Sequence, residues 1–316
     1  MRKGTRRRDV ASPPAFNRSR QTGPREEGDK LNIGFIGAGK AGCSLGKYFK
    51  EKGLHVKGYY SLHSYSARQA SEFTDSHLYR SKEELVRECD IIFLTVPDGS
   101  IRNVWEDIRG CGVEGKIICH CSGVLTSREA FPAIEEKGAF GYSVHPLFAV
   151  SDKFKAYREL TDVFFAVEGS EEKLSEVMSL IASAGNPVKK IEASKKTLYH
   201  CAAATASNLV CGLADQSLEL MERCGFSREE ALAALSPILI GNMEHTARRG
   251  PRDSLTGPVE RNDVSTVEKH LDCLENKEER QLYILLSLRL VKLARERHPD
   301  RNYAGMEEAL RKDEEK

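Results

Sequence analysis

The sequence predicts an α/β fold, in which a mostly parallel sheet with helices on both faces is followed by an all-helical second domain. Strand and helix patterns alternate from residue 31 to residue 193, and strand signals stop beyond that point. Such alternation is typical of parallel sheets, because parallel strands need a crossover connection that is usually a helix. The length of 316 residues also fits two domains better than one.

Short apolar runs rich in β-branched and aromatic residues predict the strands of the sheet. They lie at residues 31–36, 55–60, 78–79, 90–96, 116–121, 139–144, 164–167 and 188–191. The helices between them are predicted at residues 43–53, 64–73, 82–88, 101–108 and 172–184. This order of segments predicts a sheet whose strands are buried between two layers of helices.

The second domain is predicted to consist of helices alone. Residues 196–224 form one long helical pattern, whose middle, residues 201–206, is small or apolar all round, as expected of a helix buried on most sides. Further helices are predicted at residues 227–248, 264–274 and 278–297, followed by a charged segment at 306–316 that is expected to fray. Ser227 and Glu230 have the spacing of a capping box at the start of the first of these.

Charge is nearly balanced over the chain, with 48 Lys and Arg residues against 47 Asp and Glu. This balance excludes the large positive field that a nucleic-acid-binding protein uses. Residues 1–30 differ because they carry nine basic and four acidic residues and almost no aliphatic side chain, so we expect them to be disordered. The predicted division is a basic tail at 1–30, a sheet domain at 31–193, a helical domain at 194–300 and a charged tail at 301–316.

The nine Cys residues show no paired spacing and follow no signal peptide, so they predict reduced thiols and a cytoplasmic protein. The stretch at 197–213 has no Asp, Glu, Lys or Arg, but it is too short and too polar to span a membrane. The run Cys119-His120-Cys121 predicts no metal site, because strand alternation would point the two thiols and the imidazole to opposite faces.

A glycine motif, Gly37-Ala38-Gly39-Lys40-Ala41-Gly42, follows the first strand and opens the first helix. In this position a GxGxxG motif predicts dinucleotide binding, because glycines allow a tight turn while free helix N–H groups face the pyrophosphate. An acidic residue at the end of the second strand would bind the ribose 2′-hydroxyl of NAD. That region instead offers hydroxyls, a His and an Arg, which favour the 2′-phosphate of NADP(H): Ser61, His63, Ser64 and Arg68.

Candidate substrate-site residues follow the next strands, at the sheet edge where ligands bind in open parallel sheets. Val96, Pro97 and Asp98 follow the fourth strand, Ser122 follows the fifth, and His145 follows the sixth. We expect the residues after the fourth and fifth strands, Cys121 and Gly123 included, to line the nicotinamide half of a cleft. His145 is a candidate proton donor or carboxylate ligand, since the ordinary pKa of an imidazole lies near neutrality.

A second set of candidates lies at the start of the long helix. Lys196 and His200 are four residues apart and share one face, and Asn208 lies further along the same pattern. Reduction of a carbonyl needs a group that protonates or stabilises the developing alkoxide and a partner that orients it. Lys196, with His200 or Asn208, could serve those needs. The alternative is a solvated Lys196 and a structural His200.

Together these motifs resemble those of oxidoreductases that join a Rossmann-like NADP domain to a helical domain of unknown function. That group lies within the superfamily of 6-phosphogluconate dehydrogenase, ketopantoate reductase and prephenate dehydrogenase. The resemblance covers about residues 31–275 and rests on segments 36–42, 120–123, 144–147, 199–208, 255–258 and 261–263. It implies a Rossmann-type sheet, NADP(H) as cofactor and an oxidoreductase activity.

Two family patterns are combined in this chain. Lys196 is similar to the Lys of the Lys-x-x-x-Asn motif in β-hydroxyacid dehydrogenases and ketopantoate reductases, with His200 in place of Asn. Ser122 and His145-Pro146 are similar to the Ser and His-Pro of prephenate dehydrogenases. The resemblance therefore implies a class of reaction without selecting one substrate.

The leading hypothesis is an NADPH-dependent reductase of a small 2-keto acid, with ketopantoate as the first candidate and Lys196 as the proton donor. Other hypotheses are a dehydrogenase of the prephenate type, an imine reductase, and a non-catalytic NADP-sensing protein. The small-apolar helix suggests a homodimer. We expect a small carboxylate substrate and neither nucleic acid nor membrane as a partner.

Overall fold

The computed structural model describes residues 31–314, so the predicted basic tail at 1–30 lies outside the described residues. The chain divides between Cys201 and Ala202 into two compact units. The division falls beyond the predicted boundary at residue 193, because the first turns of a helix belong with the sheet. Within the described part of the chain, no helix is long and apolar enough to cross a membrane.

The first unit is built on one eight-stranded sheet, which confirms the predicted α/β class. Its strands are β1 Ile33–Ile36, β2 Val56–Tyr60, β3 His77–Leu78, β4 Ile91–Leu94, β5 Ile117–His120, β6 Phe140–Pro146, β7 Phe165–Gly169 and β8 Val188–Lys190. Their order across the sheet is β3-β2-β1-β4-β5-β6-β7-β8. The β6–β7 pair is antiparallel, and the other pairs of neighbouring strands are parallel.

Helices cover the sheet on both faces. They are α1 Lys40–Glu51, α2 Ser64–Thr74, α3 Lys82–Glu88, α4 Asp98–Ile108, α5 Ser127–Ala130 and α6 Leu174–Ser183. Alternate residues of the central strands enter two separate cores, as in β4, where Ile91 and Phe93 join one core and Ile92 and Leu94 the other. Burial on both faces is why these strands read as continuous apolar runs in the sequence.

The second unit is helical, as predicted. Its helices, with α7 leading from the first unit, are α7 Lys196–Ala206, α8 Asn208–Arg223, α9 Arg228–Arg249, α10 Pro251–Ser254, α11 Pro258–Arg261, α12 Val264–Cys273, α13 Lys277–Arg297 and α14 Ala304–Glu314. The capping box at the start of α9 is present, with the Ser227 side chain accepting from the backbone of Glu230. The core of this unit comes mainly from α12, α13 and α14.

The predicted single helix at 196–224 is wrong, because the chain breaks it at Ser207. The Ser207 hydroxyl donates to the carbonyl of Ala203 at 2.8 Å, and its backbone takes φ −126° and ψ −76°. A serine that bonds to the preceding turn competes with the helix ladder and bends the chain. The segment at 201–206 is also half-buried or exposed, whereas its composition predicted burial on most sides.

The predicted charged tail at 301–316 is a packed helix over most of its length. Helix α14 packs against α12 and α13, and Tyr303, Met306 and Leu310 are fully buried. Met306 and Leu310 are four residues apart, so they form one apolar stripe on an otherwise charged helix. Arg295 also donates two hydrogen bonds to Glu307 at 2.7 and 2.9 Å, which fixes the helix on α13.

Truncation of Met306 tests how much the packing of α14 contributes to the stability of the helical unit. We expect Met306→Ala to lower the free energy of unfolding by roughly 2 to 5 kcal/mol, since it leaves a cavity in a closed core. Glu308→Ala, at an exposed position of the same helix, should change it by less than about 0.5 kcal/mol. Urea denaturation measures both, and equal stabilities would contradict the packing of α14.

Candidate active site

The glycine loop between β1 and α1 leaves backbone N–H groups open to a ligand. Gly37 has φ +106°, and a side chain there would meet the Thr95 carbonyl oxygen at 2.5 Å, so this turn requires glycine. A side chain at Gly39 would meet open space, and α1 has neither a side-chain cap nor an acidic residue in its first turn. The start of α1 can therefore take a phosphate group.

The residues predicted to select the cofactor lie between the end of β2 and the first turns of α2. His63 and Ser64 are exposed, Ser61 is half-buried, and α2 also lacks a side-chain cap and an acidic residue in its first turn. Arg68 is exposed one turn further on, where it lines a surface cavity of about 360 Å³ together with Glu72 and Asp75. The N-terminus of α2 therefore offers side-chain hydroxyls and backbone N–H groups, and its first turn contains no acidic residue.

The loop after β5 is held by the hydroxyl of Ser122. That hydroxyl donates to Asp98 Oδ2 at 2.6 Å and accepts from the backbone N–H groups of Val124 and Leu125 at 3.3 and 3.1 Å. Asp98 begins α4, so this hydrogen bond ties the loop after β5 to the first turn of that helix. The predicted site residue Ser122 thus has its hydrogen-bonding capacity directed to the loop and to α4.

Lys196 lies under this loop and is fully buried, with 1% of its surface exposed. Its Nζ donates to the carbonyl oxygens of Ser122 at 2.7 Å and of Gly123 at 3.2 Å. Burial lowers the pKa of Lys196 to about 8, and the nearby carboxylates of Glu168 and Asp98 oppose that effect. The solvated Lys196 that the sequence left open is therefore excluded, and the buried ammonium retains its proton at neutral pH.

His145 lies within β6, which runs two residues past its predicted end. Its Nδ1 is 2.8 Å from the hydroxyl of Tyr199, and burial lowers the pKa of His145 to about 4, so the ring is neutral at pH 7. Burial raises the pKa of Tyr199 to about 12. Because Tyr199 keeps its proton and donates it to Nδ1, we assign the proton of the imidazole to Nε2.

His200 faces His145 across Gly123. The two rings are nearly perpendicular, with centroids 6.1 Å apart. A side chain at Gly123 would begin 2.4 Å from His200 Nδ1 and 2.9 Å from His145 Nε2. His200 Nδ1 is buried and has no hydrogen-bond partner within residues 31–314. The two imidazoles therefore direct nitrogen atoms to one point beside a glycine.

The structure thus brings together Lys196, His145, His200 and Ser122, and it adds Tyr199 as the orienting partner of His145. Asn208 belongs to the second unit, where it begins α8 and its Oδ1 lies 3.2 Å from the Ser207 hydroxyl oxygen, so its catalytic role stays a prediction. Within the described residues, no group of three or more His, Cys, Asp or Glu side chains could hold a metal ion.

Two features of the site could not be foreseen from the sequence. Gly123 follows a strand at the predicted cleft, but the approach of two imidazoles, which requires a glycine there, is visible only in the structure. Glu168, on β7, is buried beside the loop, and nothing local in the sequence marks it. Both depend on contacts between segments that are far apart in the chain.

Comparison with known proteins agrees with this architecture. Residues 19–146 match the family model of a Rossmann-like domain, and residues 163–290 match that of a domain of unknown function, DUF2520. The chain therefore carries a Rossmann-like domain followed by a DUF2520 domain. A search of curated proteins finds no significant match.

Solved structures with a similar fold include enzymes of several kinds. Protein TM1727 from Thermotoga maritima is 25% identical, with a TM-score of 0.66 over 84% of this chain and 98% of its own. The Plasmodium falciparum pyrroline carboxylate reductase, solved with NADP bound, is 17% identical, with a TM-score of 0.55 over 84% and 96%. An imine reductase from Pseudomonas sp. is 17% identical, with a TM-score of 0.58 over 84% and 98%.

A methyl group at Gly123 tests the packing of the two imidazoles. We expect Gly123→Ala to lower the free energy of unfolding by about 1 to 3 kcal/mol, because both rings must move. The combination with His200→Ala should recover part of that loss. Gly110→Ala is the control, since a side chain there meets open space. Equal urea midpoints for the two glycine variants would contradict this geometry.

Proposed function

We propose that the chain is a cytoplasmic, NADP(H)-dependent reductase of a small carbonyl or imine compound. The observation that carries the proposal is the buried ammonium of Lys196, which lies beside the His145–His200 pair at the carboxyl ends of β5 and β6. In open parallel sheets this edge is where ligands bind. The glycine loop after β1 lies at the same edge of the same sheet.

The N-termini of helices α1 and α2 support NADP(H) as the cofactor. The open first turn of α1 suits the pyrophosphate, and the first turn of α2, with Ser61, His63 and Ser64, suits a 2′-phosphate. An Arg68 side chain that turns towards that phosphate would add a positive charge. Pro97 and Val96, at the end of β4, would border the nicotinamide. When bound, NADPH would supply the hydride.

The protein's own contribution would be proton donation and charge stabilisation. Burial lowers the pKa of Lys196 to about 8, so its ammonium releases a proton more readily than that of an exposed lysine. His145 offers its Nε2 proton, since Tyr199 donates to the other ring nitrogen. An oxygen atom that gains negative charge during reduction would be stabilised by these donors. Ser122 would act by holding the loop that positions the ammonium.

The charge of Lys196 favours a carbonyl over an imine. A carbonyl oxygen gains negative charge as hydride is added, whereas a protonated imine brings a positive charge that a buried ammonium would repel. A 2-keto acid also provides a carboxylate that a cation attracts, and ketopantoate remains the first candidate. A compound with a C=N bond is the second candidate substrate, because the solved structures of similar fold include an imine reductase and a pyrroline carboxylate reductase. A prephenate-type oxidation is the third candidate.

The test is NADPH oxidation by the purified protein against small 2-keto acids, ketopantoate included, and a cyclic imine, with NADH as the cofactor control. We expect one substrate to be turned over with preference for NADPH. Lys196→Met should then lower kcat by about 100-fold or more, as for loss of a general acid, while the Kd for NADPH changes less than about twofold. Lys195→Met, at the exposed neighbouring position, is the matched control.

The outcomes separate the candidate functions. Wild-type kcat in Lys196→Met would refute its role, and preference for NADH would refute the assignment of the cofactor. Tight binding of NADPH without turnover of any keto acid, imine or prephenate would favour a non-catalytic sensor.

We also propose that the helical unit forms a homodimer. Helix α9 has 22 residues, of which Ala231 alone is buried, and its exposed side chains include Leu232, Ile238, Ile240 and Met243. Helix α8 exposes Leu209. Homodimer interfaces are richer in apolar area than the remaining surface of a protein, and a second copy of the chain offers the same apolar helices.

A charge in this surface tests the proposed dimer. We expect the wild-type chain to sediment as a dimer and Ile238→Lys to sediment as a monomer, because an unpaired ammonium in an apolar interface is costly. Glu308→Lys, on the exposed face of α14, should leave the dimer intact. A monomeric wild-type chain at micromolar concentration would refute the proposal.

A further inference from the structure

We propose that Glu168 is the counter-ion of Lys196 and sets the pH range over which the site can donate a proton. Glu168 would act through the lysine, as a positioning residue, without touching the substrate. The role in proton donation rests on the proposed reductase function. The pairing of the two charges does not, and it can be measured separately.

The sheet places the carboxylate on the face where the ammonium lies. Glu168 of β7 is directly opposite Ser143 of β6 in the antiparallel pair, and opposed residues project to the same side of a sheet. The Ser143 hydroxyl donates to the Ser122 carbonyl oxygen at 3.2 Å. The Lys196 ammonium donates to that same oxygen at 2.7 Å. Glu168 therefore lies on the same side of the sheet as the Ser143 hydroxyl, which shares the Ser122 carbonyl oxygen with the Lys196 ammonium.

The Glu168 side chain is buried and held in place by two hydrogen bonds. It is 6% exposed, and both of its oxygens accept hydrogen bonds from Ser127, from the backbone N–H and from the hydroxyl, each at 2.8 Å. A charge held in this way interacts strongly with a neighbour, because little water screens it.

Other charged and titratable groups near Lys196 are less able to take this role. They are Asp98 from α4, His120 and Cys121 from the end of β5, Glu129 from α5, His145 from β6 and His200 from α7. Asp98 and Glu129 are exposed, and Asp98 is already bonded to the Ser122 hydroxyl. An imidazole carries no negative charge in either protonation state, and burial raises the pKa of the Cys121 thiol to about 12, so that it stays uncharged at neutral pH.

The negative charge of Glu168 helps Lys196 to keep its proton. Burial alone disfavours the ammonium, and among the neighbouring groups Glu168 opposes this effect most strongly. Without the carboxylate, Lys196 would lose its proton at a lower pH. A site that donates this proton would then stop working at a lower pH.

The test is a pH titration of protein labelled with ¹³C at the lysine Cε, in which Lys196→Met assigns the signal. We expect Glu168→Gln to lower the titration midpoint of Lys196 by about one pH unit or more, as expected for loss of a nearby opposite charge. Glutamine retains an acceptor for the Ser127 N–H. Glu171→Gln, which removes an exposed carboxylate paired with Lys190, should leave the midpoint unchanged.

A second variant separates charge from folding. Glu168→Asp retains the charge, so its midpoint should stay closer to the wild-type value than that of Glu168→Gln. If both variants titrate like the wild-type protein, the pairing is refuted. If both move the midpoint equally, the carboxylate acts through packing and the proposal is refuted as well.

The pH dependence of turnover tests the role of Glu168 in proton donation separately. With a substrate identified, the alkaline limb of kcat should shift to lower pH in Glu168→Gln by the same amount as the titration midpoint, with KM little changed. An unshifted limb would refute the role in proton donation. A substrate panel without turnover would refute the proposed function alone, since the titration of Lys196 still decides the pairing.

Discussion

The buried ammonium of Lys196 is the constraint on which the rest of the candidate site depends. A charge removed from water is costly unless it is hydrogen-bonded and compensated. The chain meets this requirement by turning two backbone carbonyls inward, at Ser122 and Gly123. The Ser122 hydroxyl holds the loop in that shape, and the imidazoles of His145 and His200 close against Gly123. Loop, lysine and histidines therefore form one unit.

The sheet could be predicted from the sequence because its strands are buried on both faces and read as apolar runs. The capping box at Ser227 was equally readable, since it depends on residues three apart. The break at Ser207 was missed because a serine is tolerated inside helices, and its bond to the Ala203 carbonyl is a feature of the folded chain. Helix α14 was missed because charged residues outnumber its short apolar stripe.

The candidate site was predictable where one segment carries the signal. The glycine motif is contiguous, and Lys196 and His200 are a helical turn apart. The partners of these residues come from distant segments, which no local pattern reveals. Glu168 reaches the site through the register of the antiparallel β6–β7 pair, and that register is a tertiary property. The same limit applies to Ser122, whose position was predicted but whose bonds to the loop and to Asp98 were not.

The carbonyl oxygens that hold Lys196 belong to the main chain, so the path of the backbone at Ser122 and Gly123 is what anchors the ammonium. Related proteins could exchange the serine for another residue that shapes the loop and still anchor a lysine in the same way. Comparison of side chains alone would overlook such an anchor. It would be recognised by the path of the backbone after β5 and by a buried lysine in the helix below it.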